Sequence, residues 1–491
     1  MLTLLLFGLV LLLLLLMMRK PKRFPPGPIK WPLIGNVLDL KSDDMHPHES
    51  IGKLAHKYGE VVGFYLGRAP VVLISGVSAI REALNQPELQ GRPTSAVNKL
   101  EKKKLGVVFT EDDFWKEQRR FSLRHLRELG MGKREMESVI HEEIQDLLEE
   151  AKRLAGSDWK NTVPVRELVS ASGANVIYHM LTGKRFELTD PKLKELMSII
   201  HNLTSLINAS GGLAGSMPIL LRIMPSLTEY PEALKYRKQL YKHLTEIINE
   251  HKKNLDENNP MDFIDMFLIE MKKSDAHPSF HDEQLLYLCT DLFIAGSDTT
   301  SGSLSFAILH MILYPGIQTE IQKELDEVVG RERLPSLKDK TQLRYTEATL
   351  CELYRVSSVD PLAVPHAVLN SAQDVEFRGY VIPKDARVLI NLYGLHMDMK
   401  YWRDPDNFRP DRFLDNQGNL LRDDALIPFG LGKRSCIGES MARNNIFLTF
   451  TALLQKYNFR IPDGERTPSA QPDGGLVLCA KPFRVKITPR F

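Results

Sequence analysis

Apolar and polar positions along this chain change period several times, and each change marks an element. Residues 1–18, "MLTLLLFGLVLLLLLLMM", are uncharged throughout. At ~1.5 Å per residue they make a helix of roughly 27 Å, enough for a thin bilayer. Residues 24–36, "FPPGPIKWPLIGN", hold four prolines and two glycines. Proline fixes φ and removes backbone donors, so this stretch is a stiff linker or hinge and not a helix. From Gly59 to Ser75 two β-branched runs flank Gly-Arg-Ala-Pro, the pattern of a β-hairpin. Helical spacing dominates the rest, most plainly over residues 134–155 and 232–255, where apolar residues recur at i, i+3, i+4 and i+7. Short strand patterns return at 367–391 and 481–489. The chain therefore predicts a mainly α fold with small peripheral β-sheets.

One helical stretch stands apart. From Asp282 to Leu313, ended by Pro315, apolar residues crowd both halves. That length is far above the mean helix of about 11–12 residues and predicts a long, buried central helix. Its middle is polar: Gly296, Ser297, Asp298, Thr299, Thr300, Ser301, Gly302, Ser303. Such residues weaken a helix interior. Either the element is two helices, with Asp298 or Thr299 capping the second, or a buried acid and alcohol serve to hold a water and pass protons to a ligand. Residues 196–227 are apolar but weakly patterned. They read as a loosely packed helix pair or as a lid.

Charge changes the picture only at the N-terminus. The net charge is +2, yet residues 1–23 hold four basic side chains (Arg19, Lys20, Lys22, Arg23) and no acid, leaving 60 basic against 62 acidic groups in the rest. A nearly neutral body argues against nucleic-acid binding. Basic residues after the apolar run, without an A-x-A site, favour a retained anchor over a cleaved signal peptide. They also keep the body on the cytosolic side. The expected organisation is an anchor over 1–18, a basic and proline-rich hinge over 19–36, and one large domain over 37–491. The four cysteines, Cys289, Cys351, Cys436 and Cys479, are far apart. That argues against a disulfide framework or a structural zinc site and for a reducing compartment.

Two further motifs carry candidate chemistry. Glu352 and Arg355 of "ELYR" share a helix face, and their flanks are too apolar for a surface pair. In "PFGLGKRSCIGES", Cys436 follows Phe429, Gly432 and Arg434 and precedes Gly438. Packing residue, nucleophile and axial metal ligand all remain open for it from the residues alone. Glycines let a backbone turn sharply and approach a flat group. A thiolate needs N–H donors and positive surroundings.

The loop F-x-x-G-x-R-x-C-x-G resembles the haem-binding loop of the cytochrome P-450 monooxygenases. Other motifs follow in that family's order: "FWKEQRR", "AGSDTT", "ELYR", "VPHAV" and "FRPDRF". Asp411 stands where glutamate is more usual. The resemblance implies the P-450 fold, with the long helix crossing haem b, and Cys436 as the iron ligand. Trp115, Arg119, His366, Phe429, Arg434 and Gly438 would hold the cofactor, Asp298 and Thr299 would deliver protons, and Glu352, Arg355 and Arg412 would form a buried structural triad. Val108, Leu292, Ala295, Val359, Leu362, Val364 and Leu476 would line an apolar substrate pocket.

The implied reaction inserts one oxygen atom of O₂ into an apolar substrate with NADPH-derived electrons. Its partners are NADPH–cytochrome reductase and cytochrome b5, and its place is the endoplasmic reticulum membrane, held by a single N-terminal span. Arg120, Arg124, Arg127 and Lys433 would offer the reductase a positive surface. Two stretches, residues 106–132 and 443–459, look most like arthropod microsomal members, including the sesquiterpenoid epoxidases that make juvenile hormone from farnesoate or its methyl ester. Alternatives are a steroid, fatty acid or xenobiotic hydroxylase, or a reductase-independent haem-thiolate isomerase. The intact Asp298–Thr299 pair argues against the isomerase.

Overall fold

A computed structural model describes residues 2–40, 46–94, 103–131, 134–206 and 220–491. The helices that matter for the site are α1 (Leu2–Met18), α2 (Asp112–Glu128), α3 (Arg134–Ala155), α4 (Val165–Thr182), α5 (Pro191–Leu206), α6 (Tyr230–Asn254), α7 (Asp282–Leu313), α8 (Arg344–Ser357) and α9 (Glu439–Lys456). The strands are β1 (Val61–Leu66), β2 (Ala69–Ile74), β3 (Thr162–Pro164), β4 (His366–Ala367), β5 (Val375–Phe377), β6 (Tyr380–Ile382), β7 (Arg387–Ile390), β8 (Tyr457–Arg460), β9 (Pro472–Gly474), β10 (Leu478–Ala480) and β11 (Arg484–Pro489). The architecture is mainly helical with small separate sheets, as the periodicity predicts.

The hairpin is tighter than the sequence suggests. β1 pairs antiparallel with β2 from Val61↔Ile74 to Leu66↔Ala69, so only Gly67 and Arg68 form the turn. Gly67 has φ 60°, a value glycine adopts at little cost. Pro70 is tolerated because β7 joins β2, in parallel, only from Val71 onward. The order β1-β2-β7-β4 completes this sheet, and β4 carries His366 to the site.

α7 is one unbroken helix of 32 residues, about 48 Å long. Its central hydroxyls do not break it because they bond back to the preceding turn. Thr299 donates to Ala295 O at 2.6 Å, Ser301 to Ser297 O at 3.0 Å, and Ser303 to Thr299 O at 2.8 Å. The two glycines serve close approach. A Cβ on Gly296 would meet Ile177 of α4 at 3.0 Å, and one on Gly302 would meet Cys479 Sγ of β10 at 3.2 Å. The main core surrounds this helix, with α3, α4, α6 and α9 contributing buried aliphatic and aromatic side chains.

At the N-terminus α1 is exposed from Thr3 to Leu16. It has 17 residues, and among the described residues no helix is long and apolar enough to cross a membrane. The sequence-predicted lid over 196–227 divides between α5, a short helix Leu220–Ile223 and residues 207–219, which lie outside the described residues.

Candidate functional site

Where α7 passes the loop before α9, the structure encloses a cavity of about 540 Å³, within the ~300–1,000 Å³ common for small-molecule sites. Its wall is largely apolar. Of the predicted substrate residues, Val108, Leu292, Ala295, Val359, Val364 and Leu476 line it. Leu362 does not. The chain between α8 and β4 turns sharply, with φ of 35° at Ser358 and 51° at Ala363. Leu362 thereby joins a separate cluster with Ile51, Val62 and Phe64.

Cys436 lies on the cavity wall. Its backbone N–H donates to Phe429 O at 2.9 Å, closing the loop on itself. Cys436 is exposed where the loop meets the cavity, and desolvation by the surrounding loop pushes its pKa up to about 11, against the opposing pull of the Gly438 N–H. A thiolate here is favoured by a cation in contact.

Around it gathers an excess of positive charge. Arg119 of α2 donates to Ser435 O at 2.7 Å. Arg434 lies over the Trp115 ring, 3.8 Å from its centre. It donates to Gln90 O and Thr110 O, both at 2.9 Å, while its buried Nη1 has no partner. Arg92 donates to Val364 O at 2.7 Å. Burial lowers Arg92 to about 9, with Arg434 repelling it, and lowers Arg434 itself to about 10. Among the described residues none of the three is ion-paired. His366 donates through Nδ1 to Leu89 O at 2.9 Å, and burial together with Arg92 keeps it well below its ordinary pKa.

A buried Arg92 and half-buried Arg119 and Arg434 without carboxylate partners among the described residues, an orphaned N–H and a cysteine on the cavity wall fit an iron porphyrin with two acidic arms. Arg92 was not foreseen; "GRP" carries no pattern that marks it. Asp291 was not foreseen either. It sits inside the apolar run of α7, accepts from Val107 N at 2.7 Å and Val108 N at 3.0 Å, and is raised by burial to about 6. It pins the segment carrying Val108 against the central helix.

The two central polar residues of α7 part company. Thr299 lines the cavity; Asp298 does not. Neighbouring helix positions point about 100° apart, so adjacent residues do not share a face. Asp298 instead faces Thr204 of α5 and Cys479 of β10, so of the acid and alcohol expected to pass protons to a ligand only the alcohol reaches the cavity.

Behind the site, Glu352, Arg355 and Arg412 come together. Glu352 and Arg355 form two bonds of 2.8 and 2.7 Å with both side chains fully buried, and Arg412 Nε adds a third at 3.0 Å. On the outer face of α2, Arg120 and Arg124 are largely exposed and pair with Glu117 and Glu128.

The comparisons agree with this geometry. Residues 25–487 match the Cytochrome P450 family. The chain is 38% identical to "Farnesoate epoxidase" of Bombyx mori over 95% of its length and 94% of that protein's. It is 35% identical to "Cytochrome P450 2U1" of Homo sapiens, covering 99% and 93%, and 38% identical to "Cytochrome P450 2B4" of Oryctolagus cuniculus, covering 93% and 92%. The chain belongs to the cytochrome P450 family, whose members are monooxygenases that carry haem on a cysteine thiolate.

Proposed function

We propose that this P450 is a membrane-anchored epoxidase of an isoprenoid acid or ester, with farnesoate or methyl farnesoate as substrate. The observation that carries the substrate reading is the near full-length similarity to a farnesoate epoxidase, together with the apolar cavity. Away from the arginines around Cys436, that cavity also has a polar region where Arg237 and Tyr241 of α6 meet Tyr287 of α7. An isoprenoid carboxylate or ester matches a wall of that kind. A steroid, fatty acid or xenobiotic hydroxylase is the second reading, since a largely apolar wall also suits such substrates.

Cys436 holds the haem iron in this reading, and Arg92, Arg119, Arg434, His366 and Trp115 hold its acidic edge. Bound there, haem supplies activation of O₂ and insertion of one oxygen atom into a C–H or C=C bond. The chain's own work is to exclude water with the apolar wall, to present the substrate past Thr299, and to supply protons from the α7 centre. Thr299 Oγ1 has its proton committed to Ala295 O and so offers lone pairs to a cavity donor.

Microsomal members of the family take electrons from NADPH–cytochrome P450 reductase. The face of α2 beside the Cys436 loop suits that partner and cytochrome b5. Residues 1–18 serve as the anchor at the endoplasmic reticulum, with the body in the cytosol. Exposed Ile29, Trp31, Leu33 and Leu38 after α1, and Ile223, Met224 and Leu227, support a greasy contact with lipid. Incubation of the full chain with reductase, NADPH and either farnesoic acid or methyl farnesoate, followed by product analysis, is the test. Formation of an epoxide supports the reading; turnover of other apolar compounds with neither of these oxidised sinks it.

A further inference from the structure

Asp298 is separated from the cavity by one side chain. Its Oδ2 lies 2.6 Å from Thr204 Oγ1, whose hydroxyl also reaches His201 O at 3.0 Å and is then free to accept from the acid, and its Oδ1 lies 3.5 Å from His201 Nδ1. Both partners belong to α5. Asp298 is not in the cavity wall, whereas Thr204 is. His201 is held in turn, with Arg166 Nη1 of α4 at 2.8 Å from its Nε2. A guanidinium can only donate, so Nε2 accepts and the ring proton sits on Nδ1, facing Asp298. Arg166 also donates to Ala480 O at 2.9 Å, tying the clasp to β10.

Cys479 of that strand brings its sulfur within 4.8 Å of the His201 and Asp298 ligand atoms. This cluster is not a metal site. A metal-bound imidazole gives its second N–H to an acceptor, and here the second nitrogen meets a donor.

We infer that Thr204 is the relay through which the α7 acid reaches the cavity, and that His201 and Arg166 position the acid for it. The inference deepens the monooxygenase reading and rests on it. In the step, the Asp298 O–H bond breaks as its proton passes to Thr204 Oγ1. The Thr204 O–H bond breaks as that proton passes to an acceptor beside Thr299. No electrons move. Asp298 is left as a carboxylate and regains its proton from a hydronium ion of the solvent, which leaves as water, at the His201 edge, where the imidazole is partly exposed.

The test uses haem-loaded full-length protein with reductase and NADPH, with and without methyl farnesoate, so that the outcome does not depend on the substrate assignment. Hydrogen peroxide released per NADPH consumed, and the solvent isotope effect on NADPH consumption, are measured for wild type, Thr204→Val and Thr204→Ser. Thr204→Val is expected to slow proton-limited turnover roughly tenfold, short of the ~100-fold a positioned acid supplies because water partly substitutes. It should raise peroxide release and change the isotope effect, and Thr204→Ser should restore both. Should Thr204→Val fold poorly, His201→Gln must shift the isotope effect in the same direction. Wild-type peroxide yield and isotope effect in Thr204→Val, or equal damage from Val and Ser, overturns the relay. An unchanged isotope effect in His201→Gln overturns the positioning role.

Discussion

Glu352→Gln is the substitution whose consequence the structure fixes most tightly. The carboxylate is fully buried. It accepts from Arg355 Nε at 2.8 Å and Nη2 at 2.7 Å, from Arg412 Nε at 3.0 Å, and from Arg409 N at 2.9 Å. Arg355 is equally buried and keeps only neutral partners, chiefly His396 O and Pro405 O, both at 2.8 Å, with Asn407 O and Met397 Sδ farther off at 3.4 and 3.7 Å. Glutamine removes the charge and turns an NH₂ toward two guanidiniums. Breaking a buried ion pair by removing one partner costs about 3–5 kcal/mol, a large part of the ~5–15 kcal/mol that holds a typical domain together. A control with the same i, i+3 spacing lies on the surface. Arg153 and Glu150 meet at 2.6 Å, but the arginine is 56% exposed, and such pairs contribute ~0–1 kcal/mol. Urea unfolding of the haem-loaded protein, followed by far-UV circular dichroism, should give a much lower midpoint for Glu352→Gln and a nearly unchanged one for Glu150→Gln. Arg355→Lys, which loses the two-pronged geometry, should fall between them. Equal midpoints for Glu352→Gln and Glu150→Gln would refute the argument that burial, not spacing, makes this pair matter.

Other expectations follow from single contacts. Asp291→Ala leaves the Val107 and Val108 N–H groups unpaired, which costs ~1–3 kcal/mol, so substrate titrations should show weaker binding, with Asp291→Asn milder. Arg434→Leu removes the guanidinium with the orphaned Nη1; haem loss to an acceptor protein should speed up while secondary structure is kept. Burial would lower His251, but Asp262 at 2.8 Å and the Ile247 carbonyl hold it up, to about 9. A raised folded pKa gives stability that is fully present below pH ~6.5 and is lost as pH rises toward ~9. Thermal unfolding should therefore weaken across that window in wild type and much less in Asp262→Asn.

Several of these features were legible in the sequence for physical reasons. The length of α7 and its stop at Pro315 follow from period and proline chemistry. The Cys436 loop was recognisable through its resemblance to the family's haem-binding loop; its residues alone left a packing residue, a nucleophile and a metal ligand open. Glu352–Arg355 was readable because its flanks were apolar. What stayed hidden depends on direction. Asp298 and Thr299 are neighbours in sequence but face different walls, and composition does not say which. Leu362 looked like its neighbours Val359 and Val364 until the left-handed Ser358 and Ala363 sent it to another core. Arg92 and Asp291 matter only through the partners that distant segments bring to them.

The central claim is that Cys436 is a thiolate on iron. The direct measurement is the carbon-monoxide difference spectrum of the reduced, haem-loaded protein, compared between wild type and Cys436→His. Wild type should show the red-shifted band of thiolate ligation and the variant the shorter-wavelength band of imidazole ligation. A folded, haem-loaded wild type without the red-shifted band, or a Cys436→His protein that keeps it, would contradict the account.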